Sequence, residues 1–279
     1  MSFVEKQLTY LFSSSTLNGA INKSRDGDIF SVQLDAPIAI THNAAYATLE
    51  VVQANIVWVM PNISAEIGNN NFYYHTEYIP TDRPLPPQWP NFSFVLDDGL
   101  YSLDTLGQAL SRQFASNGLP QNLITLSADT ATQKVVLTFN SDAPTWADFT
   151  QLNNPREILG FNSRLVPLIP QLSGYSEIAD GPAKFNSITS FLINTDLISD
   201  GIPVNNTSGG TIASIQISVA PGSLITYQPN ISLKTNCSEL IGNSKNFFTF
   251  RLTDQDRRSV DTAGEDWSVT VVIKYYIKM

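Results

Sequence analysis

The chain has 279 residues, a formal net charge of −9 and a single cysteine, Cys237. This length allows one large all-β domain or two smaller ones, either with a sizeable core. The negative charge, with no Lys/Arg cluster, argues against direct specific nucleic acid binding, because basic residues must replace phosphate counterions. A lone cysteine excludes an internal disulfide and a cysteine metal site. No apolar run is long enough for a membrane-spanning helix.

The first part of the chain predicts an arm followed by two strands. Residues 1–27 hold one short apolar patch, 8–12, and then a polar run, so we predict an extended N-terminal arm. Alternating apolar residues predict strands over 30–40 and 45–60. In the second of these, the apolar positions slip from odd to even near Gln53, which indicates a β-bulge.

A proline-rich segment separates the next two predicted strands, 72–79 and 92–96. Residues 80–90 include five prolines. Proline has no backbone N–H to give to a sheet or helix, so we predict a stiff surface loop here.

One helix is predicted, over about residues 102–117. Ser102 is a suitable N-cap and Gly118 a suitable residue after the last turn. A stripe of apolar residues at helical spacing supports it: Leu103, Leu106, Leu110 and Phe114.

The middle of the chain predicts a hairpin, 124–127 with 134–139, and a helical turn at 156–159 with Asn154 as N-cap and Pro155 at N1. Residues 163–182 are rich in Pro and Gly and predict a long loop or a subdomain boundary. Strands are then predicted over 188–194, 211–219 and about 223–228.

The last segment, 246–279, predicts two long strands joined as a hairpin by the polar loop 254–266. Six residues of the second strand share one apolar face: Trp267, Val269, Val271, Ile273, Tyr275 and Ile277. A final strand this apolar must enter a sheet built by earlier strands, so we predict that the fold closes last-to-first.

The candidates for chemistry are few. His42 and His75 have no ligand partner at i+2 or i+4, and a surface or edge position is favoured over a metal role. Asp97-Asp98-Gly99 fits a turn better than half of a catalytic carboxylate pair. Cys237 has no basic neighbour, so we expect an inert thiol.

Two larger groups have one structural and one functional interpretation each. The acidic residues of the last loop fit a solvated loop better than a structural cation site: Asp254, Asp256, Asp261, Glu265 and Asp266. Six aromatic residues fit core or subunit-interface packing better than stacking on sugars or bases: Tyr73, Tyr74, Trp89, Phe92, Trp146 and Phe149. We therefore predict no catalytic, cofactor-binding or metal-binding residue, and no enzyme.

The order of motifs over residues 45–279 resembles the jelly-roll capsid proteins of icosahedral viruses in the adenovirus, polinton and tailless membrane-containing phage lineage. The most specific parts are Asp-Gly-x-Tyr at 98–101 leading into the helix, and LTDQD at 252–256 before the strand at 267–271. Further matching elements are the strand ending in Pro-Asn at 56–62, NNFYY at 70–74 and ILGF at 158–161.

The resemblance implies an all-β jelly-roll β-sandwich that tiles a capsid shell in the virion, with no active site. We favour a single roll over 28–279, with an inserted helix and hairpin at 92–140, which fits a pentameric vertex (penton) protein. The alternative is a double jelly roll, with rolls at about 28–162 and 183–279, which fits a major capsid protein forming trimers.

The implied partners are further copies of the chain and other capsid proteins. The resemblance also allows an internal membrane beneath the shell, which this chain does not span. A lectin-like β-sandwich that binds carbohydrate or a receptor is the alternative from another class of protein.

Overall fold

A computed structural model describes residues 2–78, 92–171, 174–186, 188–199, 201–202 and 210–279. These residues are mostly in antiparallel strands. The chain divides into two compact units, Met1–Met60 with Ile188–Met279, and Pro61–Ser187. Each unit is described by itself below.

The first unit contains ten strands among its described residues. They are β1 (Phe3–Ser13), β2 (Ala20–Ile21), β3 (Ile29–Ala39), β4 (Ala44–Val57) and, after the second unit in sequence, β12 (Ser190–Thr195), β13 (Thr211–Gln216), β14 (Leu224–Tyr227), β15 (Lys234–Asn236), β16 (Ser244–Asp254) and β17 (Ser268–Lys278).

These strands form two sheets whose orders interleave along the chain. The first sheet has the order β1-β17-β4-β14, with β15 also paired to β4, and the second has the order β13-β12-β16-β3-β2. Successive long strands therefore alternate between sheets, which is the double-sheet pattern of a jelly roll. The fold class is an all-β jelly-roll sandwich, as predicted.

Aromatic residues fill the space between the two sheets. The Phe12 ring of β1 lies 5.1 Å from that of Phe248 and 5.0 Å from that of Phe250, both on β16. Phe30 contacts Trp267 with ring centroids 5.0 Å apart. All five side chains are buried, so each sheet covers the apolar face of the other.

Strand β17 lies inside the first sheet. It pairs with β1 over all eleven residues, from Phe3↔Lys278 to Ser13↔Ser268, and with β4 on its other side. The last-to-first closure predicted from the sequence is confirmed.

The predicted N-terminal arm over 1–27 is wrong. Residues Phe3–Ser13 form a strand, and Ala20–Ile21 pair with β3. The arm prediction failed because β1 lies at a sheet edge, where Glu5, Lys6 and Gln7 stay exposed and interrupt the apolar pattern. Its partner is also the most distant segment of the chain.

The predicted C-terminal hairpin is also wrong. Strand β16 pairs with β3 and β12 in the second sheet, whereas β17 pairs with β1 and β4 in the first. Alternation showed correctly that both strands have one buried face, but it carries no information on which strands pair.

The bulge predicted near Gln53 is confirmed. In the pairing of β17 with β4, Thr270 is opposite Gln53 but Val271 is opposite Val51, so Val52 is the extra residue. The bulge restores the alternation of inward side chains on either side of it.

The second unit contains seven strands and two helices among its described residues. They are β5 (Asn71–Thr76), β6 (Phe92–Val95), α1 (Leu103–Ser116), β7 (Ile124–Asp129), β8 (Lys134–Phe139), β9 (Thr145–Asp148), α2 (Arg156–Leu159), β10 (Leu165–Gln171) and β11 (Tyr175–Ile178). The strands form two sheets, β10-β9-β5-β6 and β11-β8-β7.

Helix α1 begins as predicted. The Ser102 hydroxyl accepts the Thr105 N–H at 3.2 Å, and the Thr105 hydroxyl accepts the Ser102 N–H at 2.8 Å. This reciprocal capping box satisfies two N–H groups that have no partner within the helix. Leu106, Leu110 and Phe114 are buried in the core of this unit.

Other predictions for this part of the chain have mixed outcomes. The hairpin of β7 and β8 is confirmed. At the turn of α2, the Asn154 side chain accepts the Arg156 N–H at 3.0 Å, although Pro155 is the N-cap residue. Residues 163–182 are not simply a loop, because β10 and β11 lie there. The proline-rich segment 80–90 lies outside the described residues.

The division into units differs from both predicted arrangements. Strands before residue 60 and after residue 188 share both sheets of the jelly roll, so the described strands do not form separate rolls at 28–162 and 183–279. The segment between them is longer than the predicted insertion at 92–140.

Candidate functional site

The two histidines occupy structural positions in different units. His42 is exposed and lies against Gly242, where an added Cβ would meet the His42 Nδ1 atom at 2.3 Å. His75 is buried and stacks on Trp146 with ring centroids 3.9 Å apart. The predicted surface or edge position is wrong for His75, because β5 lies between β9 and β6 in its sheet and the side chain is buried.

Asp97-Asp98-Gly99 forms a bend that joins two segments of the second unit. The Asp98 carboxylate accepts the Ala65 N–H at 2.8 Å, and the Gly99 N–H donates to the Ile63 carbonyl at 2.9 Å. The Tyr101 hydroxyl donates to the Asp97 carbonyl at 2.8 Å. These contacts support the interpretation as a turn.

Acidic side chains at the end of β16 and in the loop after it accept hydrogen bonds from backbone N–H groups of that loop. The Asp254 carboxylate accepts the N–H groups of Asp256 and Arg258 at 2.9 and 2.8 Å, and that of Asp261 accepts the Ala263 N–H at 2.8 Å. These bonds hold turns. Among the described residues, no group of three or more His, Cys, Asp or Glu is placed to hold a metal ion.

Asp266 ends the same loop with an ion pair to the N-terminal part of the chain. Lys23 Nζ lies 2.6 Å from Asp266 Oδ1, and the hydrogen bond from this ammonium lowers the pKa of the Asp266 carboxyl group. The pair fixes the loop between β2 and β3 beside the start of β17.

Cys237 is fully buried, and burial, followed by the charge of Glu239, raises the pKa of its thiol to about 12. A thiol in this state is protonated and a poor nucleophile at neutral pH. The geometry supports the expectation of an inert cysteine.

The aromatic residues considered for stacking are largely packed. Tyr74 and Phe149 are fully buried in the core of the second unit, and Phe92 stacks on Tyr74 at 5.4 Å. The Trp146 ring stacks on the His75 ring. Tyr73 is partly buried, and Trp89 lies outside the described residues. Core packing therefore accounts for most of this set.

The outer face of the first sheet, defined as the face that points away from the second sheet, is the surface that sequence analysis did not find. Its charged centre is Glu50, which is only 5% exposed. Lys274 Nζ lies 3.2 Å and Lys234 Nζ 4.0 Å from Glu50 Oε1, so two lysines from neighbouring strands cover one carboxylate.

An aromatic cluster of Phe3, Tyr46 and Tyr276 lies at one end of this outer face. Tyr46 and Tyr276 stack at 4.3 Å, and Phe3 meets Tyr46 edge-on at 6.1 Å. A hydrogen bond from the Tyr276 hydroxyl to Glu5 raises the pKa of Tyr276 to about 12. The cluster is partly exposed and is suited to contact with another protein surface.

A second exposed apolar site lies in the second unit. Leu168 and Ile169 on β10 are 70% and 69% exposed. They fall where the pairing of β10 with β9 shifts register between Val166 and Gln171, so the strand bulges and presents these side chains to solvent. The sequence signal was the apolar run between Pro167 and Pro170, which we assigned to a loop.

Comparisons with known proteins find similarity to solved structures alone. No family model matches the chain, and no curated protein matches it. Among solved structures, the chain is similar to the crystal structure of SeMet-labeled mavirus penton protein, with 10% sequence identity and a TM-score of 0.48. The match covers 98% of this chain and 100% of that chain. Within the described part of the chain, no helix is long and apolar enough to cross a membrane.

Proposed function

We propose that this protein is a structural subunit of an icosahedral viral capsid. The observation that carries the proposal is the pair of interleaved sheets, β1-β17-β4-β14 and β13-β12-β16-β3. Jelly rolls of this kind are building blocks of viral shells, and they also occur in lectins and cupins. The choice among these classes depends on how the side chains are used.

The side chains favour an assembly role over carbohydrate binding. Of the aromatic residues considered for stacking on sugars, Tyr74 and Phe149 are core residues here and Trp146 stacks on His75. Three of the five acidic residues considered as calcium ligands are engaged otherwise, Asp254 and Asp261 in turns and Asp266 in the pair with Lys23. The exposed apolar residues instead lie on a strand edge and a bulge, such as Leu11 and Leu168.

The vertex position is a finer proposal. A single roll fits a penton subunit, which packs around a fivefold axis, and the partners are then four further copies and the adjacent capsid proteins. A trimeric major capsid protein is the alternative. The location that follows is the virion shell, where an internal membrane can lie beneath the subunit without being crossed by it.

Light scattering of the purified native protein tests the vertex proposal. The chain mass is 30.7 kDa, and we expect a particle of five times this mass. A stable trimer would instead favour the major capsid protein. A monomer that binds immobilised glycans, with a melting temperature that falls on calcium chelation, would favour the lectin-like alternative.

The capsid role has a separate test. Quantitative mass spectrometry of purified virus particles should find this chain at a fixed ratio to the other shell proteins. Its absence from particles, together with its presence as a free protein in infected cells, would contradict the proposal.

A further inference from the structure

The free edge of β1 is an open hydrogen-bonding surface. In the described residues β1 is the terminal strand of its sheet, and only β17 pairs with it. The pairing runs through eleven consecutive residues without a register shift, so the edge is straight. Such an edge is a template for a further strand unless it is shortened, bent or blocked.

The other sheet edges of the first unit are short, covered or interrupted. The opposite edge of the first sheet is divided between β14, with four residues, and β15, with three. In the second sheet, β3 is partly covered by β2 and carries Pro37, and the pairing of β13 is interrupted by a register shift. Strand β1 has no proline, glycine or bulge.

The hydrogen-bonding residues at the free edge can be identified. The Ser14 N–H donates to the Trp267 carbonyl at 2.9 Å, and the Met279 N–H donates to the Ser2 carbonyl at 3.1 Å. Bonded residues alternate in an antiparallel ladder, so the even-numbered residues of β1 bind β17. The odd-numbered residues direct their backbone N–H and C=O groups to the free edge: Phe3, Glu5, Gln7, Thr9, Leu11 and Ser13.

We propose that this edge pairs, antiparallel, with the same edge of a second copy of the chain, about a two-fold axis at Gln7. Phe3 then faces Leu11 of the second copy, and Glu5 faces Thr9. Phe3 and Leu11 are 45% and 70% exposed in the single chain, so the pairing covers two apolar side chains on the outer face.

The residues that face each other favour this register over the two adjacent registers, with axes at Lys6 and Leu8. An axis at Lys6 places the two Lys6 residues directly opposite each other, and an axis at Leu8 places Phe3 opposite Ser13 and Glu5 opposite Leu11. With the axis at Gln7, Glu5 and Lys6 face the uncharged Thr9 and Leu8. Like charges directly opposite disfavour the Lys6 register, and the Leu8 register leaves Phe3 and Leu11 without an apolar partner, so the Gln7 register is preferred.

A disulfide cross-link tests the register. Facing residues of a bonded antiparallel pair have Cα atoms about 5.5 Å apart, which a disulfide can span. Copies of Gln7→Cys should therefore form a covalent dimer under mild oxidation. Leu11→Cys alone should not, whereas a mixture of Phe3→Cys and Leu11→Cys proteins should. Cys237 is buried in the folded protein, and excess alkylating reagent present during denaturation blocks its thiol as it becomes exposed.

Two substitutions of the exposed Thr9 form a matched pair. In the Gln7→Cys background, Thr9→Glu places a second carboxylate opposite Glu5 in both halves of the dimer, and we expect the cross-linking rate to fall roughly two- to thirtyfold. Thr9→Lys places an opposite charge there and should keep or raise the rate.

The outcomes separate this inference from the vertex proposal. Equal effects of Thr9→Glu and Thr9→Lys, or cross-linking of Gln7→Cys no faster than Leu11→Cys, would overturn the two-fold pairing. Circular dichroism shows whether each variant is folded. The two-fold pairing joins copies from different pentamers, so light scattering of Thr9→Glu should give the pentamer mass of the vertex proposal even where the unmodified chain gives twice that mass.

Discussion

At the scale of single residues, buried polar groups are used for structure. Trp267 donates its indole N–H to the Gly27 carbonyl at 3.0 Å, and Gly27 has φ +73°. A side chain at position 27 would meet the Thr262 hydroxyl at 2.2 Å. Glycine is therefore required for both the turn and the close approach of the loop.

Cys237 gives a pH-dependent prediction. Its pKa rises from an ordinary value of 9.0 to about 12 in the folded protein. Between these values the unfolded chain loses a proton that the folded chain keeps, so the free energy of unfolding falls as the pH rises through this window. Denaturant titrations at pH 8 and pH 10.5 should show a smaller pH-dependent loss for Cys237→Ala than for the unmodified chain.

A labelling experiment checks the same residue independently. Folded protein at pH 8 should react with a thiol reagent far more slowly than denatured protein, because the thiol is both buried and protonated. Equal labelling rates in the two states would contradict the assigned pKa and burial.

At the scale of elements, the cap of α1 gives a prediction of moderate size. Ser102→Ala removes the acceptor for the Thr105 N–H and should destabilise the protein by about 1 kcal/mol. Gln108→Ala, on the exposed face of the same helix, should change the free energy of unfolding by less than about 0.5 kcal/mol. Urea denaturation followed by circular dichroism measures both.

The corrected role of β1 changes the expected effect of an N-terminal deletion. As an arm, residues 1–20 would be dispensable for folding. As a strand, β1 supplies Phe12 to the core and covers one edge of β17. Deletion of residues 2–13 should therefore give insoluble or unfolded protein, as judged by solubility and near-ultraviolet circular dichroism.

A control distinguishes the loss of core packing from the loss of an exposed side chain of β1. Leu11→Ser changes a side chain of β1 that is mostly exposed, and it should leave the melting temperature nearly unchanged. A soluble, cooperatively folding deletion protein would show that β1 is not needed for the roll.

The sequence predicted local structure better than pairing. Period-two alternation located β3, β4 and β17 and the bulge at Val52, and capping residues located α1. It did not show that β16 and β17 belong to different sheets, because strands of both sheets of a sandwich have the same alternation of buried and exposed residues. Strand β1 was missed because an edge strand keeps charged residues such as Glu5 exposed.

The candidate surfaces were less predictable than the fold. The aromatic cluster joins Phe3, Tyr46 and Tyr276 from three strands, and only the register of β1, β17 and β4 brings them together. By contrast, Asp97-Asp98-Gly99 and the acidic loop 254–266 are contiguous in sequence, and their hydrogen bonds hold bends or turns.

At the scale of the whole molecule, all long strands of the jelly roll lie outside residues 61–187. We predict that replacing 61–187 with a flexible Gly/Ser linker leaves residues 1–60 and 188–279 folded. Cooperative thermal unfolding and an emission spectrum of buried tryptophan, from Trp58 and Trp267, would support this. A molten species that binds hydrophobic dye would contradict it.

The central position of β17 also sets the order in which the protein can be completed during synthesis. Until β17 has been synthesised and has left the ribosome, β1 and β4 have no strand between them, and each presents a long unpaired edge. The strands of the segment 61–187 pair among themselves and can form earlier. The nascent chain can therefore carry a finished second unit while the first sheet is still open, and insertion of β17 is the event that closes the roll.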